Sequence, residues 1–121
     1  MTSNGAAAAY PFPRTARLLS SSDYRLVLRR GRCWRRALFV LYVMENGLTV
    51  SRLGITVSRK VGKAVQRNRI KRVVREFFRL ESSQWRVMAD HVFIARPAAA
   101  GVENVVLRRE LEQLLVYLSR P

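Results

Sequence analysis

One stretch, Lys63 to Leu80, most constrains what this chain can fold into. Read as a helix at 100° per residue, its side chains part into two sides. Ile70, Val73, Val74, Phe77 and Phe78 fall between about 240° and 20°. Arg67, Asn68, Lys71, Arg72, Arg75 and Arg79 fall between about 0° and 140°, and Arg69 and Glu76 take the remaining edge. The apolar side must be covered. The basic side must stay in water or meet anions. The rest of the chain therefore has to supply an apolar platform to one side of this helix only.

Strands can supply it. Residues 37–44 are a continuous apolar run of strand length, and Glu45-Asn46-Gly47 reads as a turn. From Arg52 to Ser58 the pattern alternates: Leu53, Ile55 and Val57 on the core face, Arg52, Gly54, Thr56 and Ser58 on a small, polar face with nothing bulky over it. Residues 37–44, with Leu38, Val40 and Tyr42 on one face, are the expected antiparallel neighbour. A further strand runs from Ala89 to Arg96 and stops at Pro97.

Two more helices flank this unit. Ser20, Ser21 or Ser22 caps the first, Gly31 ends it, and Tyr24, Val27 and Leu28 share one face while Arg25 and Arg29 share another. The last carries Leu107, Leu111, Leu114, Leu115 and Leu118 on one stripe. The order helix, two or three strands, helix, strand, helix implies an α+β protein built as a two-layer α/β sandwich. Residues 1–13 read as a flexible tail and residues 14–121 as one domain, since 121 residues suffice for one core and not two.

Charge then narrows the function. The chain carries 23 Lys and Arg against 8 Asp and Glu, a net +15. Residues 14–79 hold all of the excess, and residues 80–121 balance to zero. A concentration of this kind marks a polyanion binder, nucleic acid first. Arginine outnumbers lysine, and its planar fork suits phosphate oxygens. No apolar run approaches the ~20 residues needed to span a bilayer. No secretory signal is evident, and the single cysteine, Cys33, forms no internal disulfide, so a cytoplasmic setting is expected.

Between Tyr24 and Arg75 the only acid is Glu45, and His91 is the only histidine. A two-metal nuclease needs clustered carboxylates, and no histidine pair can serve as acid and base. No catalytic residue and no metal set is expected in the protein. His91 and Cys33 read as strand residues, and Trp34 and Trp85 as core. The pattern favours a binding protein whose chemistry lies elsewhere.

The string from Arg52 to Arg72, RLGITVSRKVGKAVQRNRIKR, with Arg67-Asn68-Arg69 at its centre, resembles the signature of the bacterial ribonuclease P protein subunit. The likeness extends upstream through Arg17-Leu18, Asp23-Tyr24, Gly31 and Phe39-Val40-Leu41-Tyr42, and downstream through Asp90, Val92 and Ile94-Ala95-Arg96-Pro97. Leu28 stands where the family often has an aromatic. Arg59 replaces a common lysine, and His91 a common aliphatic residue.

The resemblance implies a left-handed β-α-β crossover, against the general right-handed rule. It implies an endoribonuclease holoenzyme that removes the 5′ leader of precursor tRNA, with the active site and its Mg²⁺ in a catalytic RNA subunit and the protein inactive alone. Arg59, Lys60, Lys63, Arg67, Asn68, Arg69, Lys71, Arg72 and Arg75 would bind the RNA subunit. Tyr24, Leu28, Tyr42 and Thr56 would line a cleft for the single-stranded leader, where aromatic rings stack on bases. The partners implied are the catalytic RNA and precursor tRNA, with neither membrane nor DNA. Two other readings fit the charge alone: a structural or ribosomal-type RNA-binding protein, and a helix-turn-helix DNA binder, which would need a short second helix where strands are expected.

Overall fold

Ser20 starts the first helix, α1 (Ser21–Arg30): its Oγ accepts the amide of Asp23 at 3.2 Å, satisfying one of the orphan donors of a helix start. The computed structural model describes residues 19–82 and 88–118. After α1 come β1 (Arg32–Arg35), β2 (Phe39–Glu45), β3 (Arg52–Thr56) and a short 3₁₀ turn at Arg59–Val61. Then follow α2 (Ala64–Glu81), β4 (Ala89–Ala95), a second 3₁₀ turn at Pro97–Ala99 and α3 (Asn104–Leu118).

Among the described residues the strands form one sheet in the order β1-β2-β4-β3. β1 pairs with β2 and β2 with β4, both antiparallel, and β3 runs parallel to β4. The expectation that residues 37–44 lie beside β3 is therefore corrected, because β4 is inserted between them. Burial explains this. Six of the seven residues of β4 are buried, on both faces, as a central strand requires.

Length allows it. The connection over residues 46–51 must step across one intervening strand, two spacings or about 10 Å, and six residues reach about 20 Å. Asn46 fixes the step. Its Nδ2 donates to Asp90 Oδ1 at 2.8 Å and to the Val50 carbonyl at 3.1 Å, and its Oδ1 accepts the Leu48 amide at 2.9 Å.

The core lies on one side of the sheet. Ile70, Val73, Val74, Phe77 and Phe78 of α2 and Leu107, Leu111 and Leu114 of α3 pack on Phe39, Leu41, Leu53, Phe93 and Ala95. Both apolar stripes are those read from the sequence, with Leu115 half-buried at the edge. Trp34 packs partly against this core, beneath the Arg32 guanidinium at 4.9 Å from its ring centroid. Trp85, Arg17-Leu18, the tail 1–13 and the Leu118 side chain lie outside what is described.

On the opposite side sits α1, with Val27 fully buried. This corrects a second expectation, that nothing bulky covers the Gly54/Thr56 face. A Cβ at Gly54 would lie 2.9 Å from Tyr24 Cδ2 and 3.1 Å from Leu19 Cδ1. Gly54 is small because α1 rests there.

Candidate nucleic-acid interface

The basic surface begins at the turn before α2. Val61, 1% exposed, pins the turn to the core. Gly62 then takes φ 151°, a region closed to most side chains, and delivers Lys63 as the N-cap residue of α2. Arg59, Lys60 and Lys63 are exposed around this corner. Along α2, Asn68, Arg72 and Arg75 are exposed at i, i+4 and i+7, forming one ridge, with Lys71 half-buried beside it. Among the described residues none of Arg59, Lys60, Lys63, Lys71, Arg72 and Arg75 has an ion pair.

Arg79 differs: it donates to Glu76, and that hydrogen bond holds the Glu76 carboxyl below the usual carboxylate range. Arg67 and Arg69 differ too. Arg67 Nη1 donates to the Gly62 carbonyl at 2.9 Å. Arg69 donates through Nη1 to Asn104 Oδ1 at 2.6 Å and through Nη2 to Gln66 Oε1 at 3.1 Å. The nine basic-surface residues thus divide into a free outer set and an inner pair turned toward the protein.

On the other side of the sheet lie the four residues expected to line a cleft. Tyr42, Val92 and Gly54 form one cross-strand row, and Val40, Ile94 and Thr56 the next. Tyr24 lies against Gly54, and its hydroxyl is hydrogen-bonded to Thr56 Oγ1. Leu28, half-buried, follows one helical turn later. Tyr42 is two strand spacings from Gly54, about 10 Å. Its hydroxyl is pushed above its ordinary pKa, chiefly by the hydrogen bond with Cys33, its partner across the β1–β2 ladder. It remains a donor.

What holds α1 over this surface was not read from the sequence. Arg52 Nε and Nη2 grip Asp90 at 2.9 and 2.8 Å, while Nη1 reaches Asp23 on α1 at 3.2 Å. Asp90 is 1% exposed, and its bond to Arg52 raises the guanidinium further above its ordinary pKa. A carboxylate inside an apolar strand was the available signal, since buried charges need partners.

Comparison with known proteins bears on the family and the fold. A sequence model described as Ribonuclease P matches residues 12–119. The chain belongs to the ribonuclease P protein family. The ribonuclease P protein component of Clostridium kluyveri is 44% identical over 101 residues, covering 82% of this chain and 90% of that protein. That of Desulforapulum autotrophicum is 39% identical over 112 residues, covering 93% and 96%.

Among solved structures, a mutant Staphylococcus aureus RNase P protein superposes with a TM-score of 0.81 at 33% identity, covering 87% of this chain and 89% of that one. The Thermotoga maritima RNase P protein superposes at 0.73 with 37% identity, covering 82% and 94%. The ribonuclease P protein fold is thus the mixed α+β sheet described above, with α2 as the crossover between parallel β3 and β4.

His91 is 2% exposed, edge-on to Phe78 with centroids 5.4 Å apart, and burial lowers its pKa to about 4. Cys33 is an exposed residue of β1. Among the described residues no group of three His, Cys, Asp or Glu could hold a metal ion, and no helix is long and apolar enough to cross a membrane.

Proposed function

We propose that this chain is the protein subunit of a ribonuclease P holoenzyme, working in the cytoplasm. It binds a catalytic RNA through the basic surface of α2 and the preceding turn. It receives the 5′ leader of precursor tRNA on the surface where α1 meets the sheet. Cleavage belongs to the RNA, whose active site uses Mg²⁺.

The observation that supports this most is the division of the molecule into two faces. Arg59, Lys60, Lys63, Asn68, Lys71, Arg72 and Arg75 surround one side of the sheet, with Arg67 and Arg69 behind them. Tyr24, Leu28, Tyr42 and Thr56 gather on the opposite side. Two polyanion strands can be held at once, one by phosphate contacts and one by stacked rings. The protein's own part is to bind and orient.

Reconstitution tests this. Purified protein, a transcribed bacterial ribonuclease P RNA and Mg²⁺ should together release the leader from precursor tRNA, and protein alone should not. Cleavage by RNA-free protein, abolished by a point substitution in the protein, would refute the assignment.

A further inference from the structure

Arg67 and Arg69 are the two arginines of the sequence signature, and a signature arginine on a basic helix reads first as a phosphate ligand. Their geometry says otherwise. Both are half-buried, whereas Asn68 between them is exposed. Arg67 closes onto the carbonyl of Gly62, the residue whose φ of 151° turns the chain from Arg59–Val61 into α2. Gln66 sits beside the same glycine: a Cβ there would meet Gln66 Cβ at 3.3 Å. Gln66 Oε1 in turn accepts from Arg69, and Arg69 reaches across to Asn104, the first residue of α3.

Two sets of hydrogen bonds therefore tie α2 to its neighbours: Arg67 to the turn before α2, and Arg69, braced by Gln66, to the start of α3. Each acceptor is a neutral oxygen, a carbonyl or an amide. The guanidinium charge stays in the field of the basic surface while its fork is fixed inward. A planar fork with donors on two edges can do this, and a lysine ammonium cannot.

We propose that Arg67 and Arg69 are positioning residues. They fix the Arg59–Val61 turn and the start of α3 against α2, so that the exposed set formed by Arg59, Lys60, Lys63, Arg72 and Arg75 meets the RNA phosphates in one geometry. This rests on the reading of α2 as the RNA-subunit surface.

Asn104 supplies the test, because it carries no charge and would have no share in a direct phosphate contact by Arg69. Affinity for a transcribed bacterial ribonuclease P RNA should be measured over a range of salt for wild type, Asn104→Ala, Arg69→Ala and the double variant. Stoichiometric titration in parallel counts the folded fraction. An unfolded variant then shows as fewer sites, not weaker ones.

If Arg69 positions, Asn104→Ala weakens binding about threefold or more, within the range of coupling between contacting residues. The double variant is then no weaker than Arg69→Ala, and the slope of log K against log salt is unchanged in all three. If Arg69 binds phosphate directly, Asn104→Ala leaves affinity unchanged or tighter, and Arg69→Ala flattens the slope by about 0.7–0.9. That result overturns the proposal. Should Arg69→Ala fail to fold, Asn104→Ala alone decides. Absence of salt-dependent binding by wild type would instead remove the functional reading itself.

Discussion

Tyr24 ties the proposed leader surface to the stability of the sheet. Its ring lies against Gly54 and its hydroxyl meets Thr56, so it is at once a packing residue and the aromatic of the proposed cleft. Substitutions separate the two roles. Tyr24→Ala should weaken precursor tRNA binding to the holoenzyme by about 1–3 kcal/mol, the range for one stacked base. Mature tRNA, which lacks a leader, should bind as before. Tyr24→Phe keeps the ring and should retain most of the affinity. Equal loss for precursor and mature tRNA in Tyr24→Ala would make Tyr24 a core residue only. Gly54→Ala offers a second check. Its new methyl would lie 2.9 Å from the ring, so the ring must move. Overpacking of this kind costs about 1–3 kcal/mol, read by thermal melts, and should lower leader affinity with it. The sequence showed that Gly54 and Thr56 share a small face. It did not show why: a glycine in a strand marks close approach without naming what approaches.

At the level of elements, the sequence was most legible where a period repeats. α2 spans Ala64–Glu81 against an expected Lys63–Leu80, and its five buried residues are the five apolar ones of the helical projection. β3 and β4 fall within a residue or two of their expected bounds. β1 was not set out as a separate strand, because Arg-Cys-Trp-Arg lacks a clear alternation. Strand order was not legible either. A six-residue connection permits adjacent pairing as well as a step across β4, and the Asn46–Asp90 contact that selects the step is long-range. The hand of the crossover came from family resemblance, since spacing carries no hand. For α2 the expected outcome is quantitative. Arg72→Ala with Arg75→Ala removes two exposed cations and no buried packing. Melting should hold within about 0.5 kcal/mol. The slope of log K against log salt for the RNA subunit should flatten by about 0.7–0.9 for each phosphate no longer neutralised. An unchanged slope would take this ridge out of the interface.

For the molecule as a whole, charge and burial combine at His91. The chain already carries +15 and resists further positive charge, most of all inside its core. Buried edge-on to Phe78, the imidazole is held neutral, its pKa lowered by desolvation to about 4 from an ordinary 6.5. In the unfolded chain it takes up a proton below about pH 6.5, and in the folded protein only below about 4. Stability from this group is therefore complete above pH 6.5 and is lost as pH falls from there toward 4. At 1.36 kcal/mol per pH unit the loss amounts to roughly 3 kcal/mol across that window. His91→Leu cannot titrate and keeps an apolar side chain against Phe78. Urea unfolding of both proteins at about pH 7.5 and about pH 4.5 isolates the effect from other acid-sensitive groups, which the two share. The wild type should lose about 2–3 kcal/mol more than His91→Leu between those pH values. Parallel losses would mean that His91 takes up its proton as readily in the folded protein as in the unfolded chain.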